Sequence, residues 1–429
     1  MFTKKNIAIL VVVILLIGTM ALLSNRRSSD TAEDNGATTD GVTTIRVAAF
    51  PDQDSGFEAI LDDFHAEHPH IKVELDINDF DNHHQALLTQ IAAGSNVPDV
   101  ANIEIQFVGD FVNRGGFVNL LEEPYNAGEF EDDIIPYKWA QGTNEATGEL
   151  IAMPLDVAPG TIFYRRDRFE ELGVDVEDLN TLEDWIEVGL EFTEGEDDRW
   201  LFPDAAIIYE MVRRSGEEQF FDNDGNPIVT SDKFVRAFEL AKQIRDLGLD
   251  GQIGEWSNEW YATFEEGTAL AHASGAWLGG HIQNWMAPET AGKWGVTNLP
   301  DDMYVNWGGS FLAIPEDAQN KEAAWEFIEY VTTNVDVQIN QFEAANIFPA
   351  LVDAFDHEVF EESSDFYSGQ NVRQFWLDSA KKVPAVNTNR YDTIAQDAVG
   401  AALTEVLEED KDIMEALEEA ETLIKRRMR

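Results

Sequence analysis

A chain of 429 residues, 44% of them apolar, is too long for one ordinary core and suits two globular bodies. Its 82 Asp and Glu against 29 Lys and Arg give a formal charge of −53, which repels nucleic acid and anionic membrane surfaces and argues against both as partners. The absence of cysteine excludes disulfides, thiolate metal sites, a Cys nucleophile and a thioether-linked lipid, so stability has to come from core burial.

Lys4 and Lys5 precede an apolar run from Ile7 to Leu23, close to the lower limit of about 17 residues for a membrane-crossing helix. The order predicts an export signal, with the lysines cytoplasmic and everything after Leu23 outside. Thr19-Met20-Ala21 is a weak match to a small-x-small cleavage site, which favours a retained anchor followed by a polar tether from Asp30 to Val42. Residues 1–41 are therefore expected to lie outside the folded bodies.

The apolar run Ile45 to Phe50, stopped by Pro51, predicts a strand, and Phe57, Ile60, Leu61 and Phe64 have the spacing of a helix face. Ile71 to Ile77 alternates as a second strand. A second helix carries Ala86, Leu87, Gln90 and Ile91 and ends at Gly94, before Pro98-Asp99-Val100 opens a third strand. A βαβαβ order implies a parallel sheet with right-handed crossovers, so the loops after Phe50, Ile77 and Ile103 should rim a ligand site. Farther on, Thr181 reads as the cap of a helix with an acidic first turn. Asp222 to Pro227 reads as a turn that lacks the twelfth-position glutamate of a calcium loop. Phe234 to Leu247 is a helix closed by Gly248, and Ala269 to Ala273 is a small-residue strand leading to Gly275-Ala276-Trp277. Helical patterns occupy 320–331, 397–407 and 413–424.

The signatures of nucleotide hydrolysis, serine hydrolysis and zinc proteolysis are missing, and carboxylates are too numerous for a catalytic pair to stand out. The chain therefore reads as a binder and not an enzyme, with a secreted glycosidase as the enzymatic alternative. His65, His68 and His70, with His83 and His84, form the densest imidazole cluster. Pro69 forces the chain out of the helix before His70, so the ordinary reading is surface histidines at a helix-to-strand turn; no metal and no cofactor is expected. Planar aromatics and carboxylates together suit sugars, whose apolar faces stack and whose hydroxyls need directed hydrogen bonds. Trp256, Trp260, Trp277, Trp285, Trp294 and Trp307 cluster around predicted loops, and Trp277 stands out because Gly275 at a strand end would kink the backbone and aim the ring into a cleft.

Four segments in one order carry a resemblance: Ala93 to Val100 (AGSNVPDV), Ile162 to Val174 (IFYRRDRFEELGV), Phe264 to Trp277 (FEEGTALAHASGAW) and Trp307 to Val331 (WGGSFLAIPEDAQNKEAAWEFIEYV). Together they resemble the family 1 extracellular solute-binding proteins, sugar-capturing receptors of bacterial ABC importers. The resemblance implies a periplasmic-binding-protein-like α/β fold in which two lobes, joined by three hinge crossings, close on a ligand cleft. It implies an N-terminal lobe of 42–155 plus 305–350 and a C-terminal lobe of 156–304 plus 351–429. Mapped by motif, the ligand-binding residues would be Asp52 and Gln53 after the first strand, Glu104 after the third, and Asp156 at the first crossing. Trp277 would be the stacking ring, Trp307-Gly308-Gly309 the glycine-rich return, and Tyr209 and Tyr391 second-lobe contacts. The family's common Tyr-Asn-Lys-Asp is altered to Tyr164-Arg165-Arg166-Asp167, and the lipobox cysteine of Gram-positive relatives is missing. The expected partners are a di- or oligosaccharide, two permease subunits and, through them, the cytoplasmic ATPase, with the receptor a monomer held at the outer face of the membrane or secreted. Relatives of this fold also take polyamines, glycerol phosphates or metal ions, and these remain alternatives.

Overall fold

Thr43–Ala49 (β1), Ile71–Ile77 (β2) and Val100–Glu104 (β3) form the parallel heart of the first sheet, with β1 between the other two. β2 lies at the sheet edge, and its Ile71 and Val73 are buried while Lys72 and Glu74 face water. β1 and β3 are interior and mostly buried. This is the computed structural model of the protein, and it describes residues 41–386 and 388–429; the predicted export helix and most of the tether lie outside the described residues. Among the described residues no helix is long and apolar enough to cross a membrane.

The connecting helices follow from their caps. Gln53–Glu67 packs Phe57, Ile60 and Phe64 inward, and Pro69 ends it where the sequence predicts. Phe80–Ala93 starts at Asp79, which accepts from the Asn82 amide, and stops at left-handed Gly94. After the Thr143–Asn144 and Glu149–Leu150 hairpin (β4, β5), Met153–Pro154 (β6) completes the first sheet beside a returning strand. That strand, Ser310–Ala313, runs antiparallel to both β3 and β6, so the sheet is mixed and not wholly parallel.

The second sheet is antiparallel throughout: Gly160–Arg165 (β7) pairs on one side with Ala271–Gly275 (β8) and on the other with Trp294–Thr297 (β9). The altered motif is explained here. Arg165 is buried, forks onto Asp167 at 2.8 and 2.7 Å, and lies over the Trp294 ring. Gly267 ends the preceding helix in the left-handed region, and a Cβ there would meet Arg165 Nη1 at 2.0 Å, so the glycine of Phe264-Glu265-Glu266-Gly267 makes room for that guanidinium. Thr181 and Asp184 form the reciprocal cap the sequence predicts for Leu182–Thr193. The helix expected over 397–407 spans Asp392–Glu409; its first turn lies against the opposite lobe through Thr393, and buried Ala395 extends the apolar face of Ala398, Val399 and Ala402 by one turn.

Three segments cross between the sheets side by side. The chain leaving β6 pairs with 347–351 through Asp156 and Pro349, and with 305–309 through Pro159 and Asn306. Val157 donates to Phe348 O at 2.8 Å and Trp307 to Ala158 O at 2.7 Å, which makes the crossing a narrow three-stranded ribbon. Two α/β lobes with a three-strand hinge result, and apolar packing runs through the hinge from Leu155 and Val157 to Phe348.

A net charge of −53 stores self-repulsion that added salt relieves by screening. Raising NaCl from about 0.05 M to about 1 M, which shortens the screening length to about 3 Å, is expected to raise the Tm of residues 41–429. Calorimetry at both salt levels checks it, and an unchanged or lower Tm contradicts it.

Candidate functional site

The carboxyl ends of β1 and β3, the hinge ribbon and one edge of the second lobe meet at one place. Asp52 follows β1 with φ at 73°, exposed, and its Oδ2 lies 3.3 Å from Nε2 of His281 on the second lobe. Gln53 beside it is buried, with Oε1 lacking a protein partner.

Glu104 ends β3 and caps Ile105–Arg114, its carboxylate accepting from the Gln106 amide at 2.7 Å. Burial pushes its pKa up to about 7, against the opposing pull of Arg214 and Lys138. His84 holds its backbone. Burial first, then His83, push this imidazole down to about 3, so it is neutral; Nδ1 donates to Phe80 O at 2.8 Å and Nε2 accepts from the Glu104 amide at 3.1 Å. His83 and His84 are fully buried and serve this loop, so they are not surface histidines.

Asp156 lies in the hinge, nearly buried, with Oδ1 accepting from both the amide and the hydroxyl of Ser310 at 2.7 and 2.6 Å. It braces the return strand to the first crossing. Lys138 is fully buried nearby, its ammonium 3.7 Å from the centre of the Phe311 ring; burial pushes its pKa down to about 8 while Asp156 and Glu104 resist. Gly308 and Gly309 both have positive φ, and a Cβ on Gly309 would fall 2.7 Å from Asp156 O and 3.0 Å from Lys138 Nζ.

From the second lobe, Arg214 approaches the same point, its guanidinium over the Trp307 ring and ion-paired to Glu210. Asn306 reaches Gln141 at 3.4 Å, leaving Oδ1 without a protein partner. Glu255 is exposed and lies near Glu210 and Arg214; crowding by neighbouring atoms, then repulsion from Glu210, raises its pKa, and solvent at this side chain screens both effects. Sequence reading missed Lys138, Glu210, Arg214 and Glu255, because nothing in a Lys on a short helix or an Arg-Arg pair signals a cleft before the fold is known.

The tryptophans separate into two groups. Trp260 and Trp294 are core residues, and Trp307 is buried at the hinge. Trp256, 50% exposed, stacks on half-buried Trp277 at 5.8 Å and 14°, and the row continues through His281 (5.4 Å) to Trp285, 52% exposed (5.4 Å). Trp277 donates from Nε1 to Trp307 O at 3.0 Å. The sequence expectation was a kink at Gly275; the observed reason is space, since a Cβ there would meet Trp307 O at 2.3 Å and Trp277 Nε1 at 2.5 Å. Trp256 holds φ at 65°, a costly conformation for a bulky side chain, about 1–3 kcal/mol, that persists where surroundings impose it.

Tyr209 and Tyr391 are not brought into this group. Tyr209 is buried in the second-lobe core against Phe238, its hydroxyl without a protein partner, and the Tyr391 hydroxyl turns to Met428 O at 3.4 Å. The lobes also touch through Gln106, which accepts from Thr393 and Gln396. A separate recess is lined by Gly279, Asn346, Tyr367 and Trp376, and none of the residues around Glu104 or Asp156 lines it.

Comparison with known proteins gives a consistent picture. A family model described as bacterial extracellular solute-binding protein matches residues 48–338. The arabinooligosaccharide-binding protein of Halalkalibacterium halodurans is 24% identical over 337 residues, covering 75% of this chain and 74% of that protein. The lactose-binding protein of Rhizobium radiobacter is 26% identical over 329 residues, covering 72% and 76%. Among solved structures, the ABC transporter associated binding protein from B. animalis subsp. lactis Bl-04 in complex with beta-1,6-galactobiose superposes with a TM-score of 0.75 at 24% identity, covering 90% of this chain and 97% of that one. A crystal structure of an extracellular solute-binding protein of family 1 gives 0.79 at 22%, covering 89% and 99%.

Two outcomes follow from the geometry. Glu104 holds its proton more tightly folded than unfolded, so its ionisation destabilises the fold as pH rises from the unfolded carboxyl range through about 7. Glu104→Gln should flatten the fall of Tm between about pH 5 and pH 8 relative to the parent, and a parallel profile would contradict the assignment. Gly275→Ala should lower stability by about 1–3 kcal/mol in urea titrations and shift tryptophan emission, because the indole of Trp277 must move.

Proposed function

The chain belongs to the bacterial extracellular solute-binding proteins, and from that membership we propose that it is the sugar receptor of an ABC importer, taking an oligosaccharide between its lobes. The observation that carries the reading is the aromatic row Trp256, Trp277, His281, Trp285 beside the polar group of Glu104, Asp156, Asn306 and Arg214. Trp256 and Trp277 cover one face of each other, but Trp256 and Trp285, half-exposed at the two ends of the row, leave separate apolar faces, which favours a chain of sugars over a single one. The names of the relatives, which bind arabinooligosaccharides, lactose and galactobiose, point the same way.

In this reading Trp277 and Trp256 stack on sugar faces, and Glu104, Asp52 and Gln53 take hydroxyls from the first lobe. Asp156, Trp307, Gly308 and Gly309 shape the floor of the cleft at the hinge. The lobes divide as 42–155 plus 305–350 and 156–304 plus 351–429. Tyr209 and Tyr391 act at one remove, behind the cleft wall. Binding without chemistry, delivery to two permease subunits by lobe closure, and tethering at the outer membrane face through the amino-terminal helix complete the proposal.

Titration of intrinsic tryptophan fluorescence with arabino-oligosaccharides, lactose and β-1,6-galactobiose tests it. At least one should give a saturable response, and Trp256→Ala should weaken it at least about tenfold, the factor equivalent to about 1.4 kcal/mol of lost stacking. Silence toward sugars with a response to spermidine or glycerol 3-phosphate overturns the sugar reading. Steady release of chromophore from aryl glycosides would make the protein an enzyme.

A further inference from the structure

At the opposite end of the first sheet from the cleft, where the chain enters β2, the histidine cluster of the sequence acquires a partner the sequence could not reveal. Pro69 turns the chain at the end of Gln53–Glu67 so that His68 and His70 both face Glu326, on Lys321–Thr333. His68 Nδ1 and His70 Nε2 each lie 3.0 Å from the same oxygen, Glu326 Oε2, and the three ligand atoms lie within 4.8 Å of one another. His65 takes no part, since its Nε2 accepts from the Val73 amide.

The geometry points to a site for a borderline divalent transition metal, of the zinc class, held by His68 Nδ1, His70 Nε2 and a Glu326 carboxylate oxygen. Two donors bound tetrahedrally to zinc at about 2.1 Å lie about 3.4 Å apart, within half an ångström of both imidazole-to-Glu326 separations, so a small turn of the His70 ring or the carboxylate would seat the ion. Two imidazoles and a carboxylate are a donor set that suits zinc, copper or nickel and disfavours magnesium, which takes oxygen ligands almost alone. The first ligand is pre-oriented: the His68 ring stacks on buried Phe64 at 4.6 Å and 16°, with Tyr330 edge-on at 5.7 Å. His68 and Glu326 also line a recess with Glu329, Tyr330 and Thr333, which gives an ion a concave seat with a position open to water. Neither imidazole touches the cleft, so the ion would fasten the 68–70 turn to a helix more than 250 positions away in the chain and steady the first lobe without acting on the sugar.

The test is competition between the metal-free protein, residues 41–429, and a chromogenic zinc chelator. The parent should bind one Zn²⁺ more tightly than its surface carboxylates do, gain Tm on binding and ignore Mg²⁺. Co²⁺ in its place should give the visible absorption of a tetrahedral centre. His70→Ala and Glu326→Gln, both at partly exposed positions that leave the core intact, should each weaken that binding at least about tenfold and abolish the cobalt bands. Zinc should leave affinity for whichever sugar binds unchanged, so failure here does not touch the receptor reading. Equal zinc binding by the parent and both variants, or no zinc bound by the parent, overturns the site.

Discussion

The hydrogen bond from the Trp277 indole to the Trp307 carbonyl is the contact on which the arrangement of this molecule turns. It joins the end of the second sheet to the return crossing of the hinge, at a point where the chains approach closer than a Cβ permits. Gly275 and Gly308 clear the indole, while Gly309 lets the return crossing pass over Asp156 and Lys138. Two consequences come from one constraint. The strands that cross the hinge are joined by a narrow ribbon of isolated bridges, and Trp277, an inner ring of the aromatic row, is fixed to that ribbon and not to a loop.

The electrostatics of the cleft differ from those of the surface around it. The chain as a whole carries −53, yet the cleft gathers Lys138 and Arg214 beside Glu104, Asp156, Glu210 and Glu255. Burial weighs against ionisation of Glu210, but Arg213 and Arg214 hold its carboxyl below the usual range. Glu104 is pushed up to about 7, so it is only partly ionised near neutral pH. The local excess of negative charge is therefore small beside that of the whole chain. A polyamine would meet two cations already installed, and a phosphate would meet four carboxyls. An uncharged polyhydroxylated ligand meets donors and acceptors of both kinds without a Coulombic penalty, the choice that the indole row also favours.

Much of this was legible before any coordinates. Strands and helices with clean periodicity, such as Ile71 to Ile77 and Phe57 to Phe64, lie where their patterns put them, and the glycines and caps at Gly94, Thr181 and Gly248 mark real ends. What escaped was long-range and polar. The antiparallel return of Ser310–Ala313 depends on which edge the chain re-enters, and local pattern does not encode that. Lys138, Arg214 and Glu255 become cleft residues only through tertiary placement, and their residue types are those of any exposed helix or loop. The two histidine pairs show the same limit from opposite sides. His83 and His84 are adjacent in sequence and buried for structural reasons, whereas His68 and His70 find Glu326 only through the packing of two distant helices.

The polar side-chain contacts between the lobes beyond the hinge are individually weak, although Ile105–Arg114 packs closely on Asp392–Glu409, where a Cβ on Gly109 would fall 2.6 Å from Asn389 O. The Asp52 to His281 pair is largely solvent-exposed on the carboxylate side, and a pair of that kind contributes about 0–1 kcal/mol. Gln106 accepts two hydrogen bonds from Thr393 and Gln396, each worth about 1 kcal/mol net. Their sum falls short of the roughly 5.5 kcal/mol needed to move a two-state equilibrium from 1:99 to 99:1. These polar contacts alone therefore do not lock the lobes together, and a ligand touching both walls adds its own stacking and hydrogen bonds to the closed form. Under that arithmetic, a group that touches the ligand from one lobe only contributes to affinity, while contacts made across the gap, such as those of Gln106 with Thr393 and Gln396, shift the balance toward the closed form.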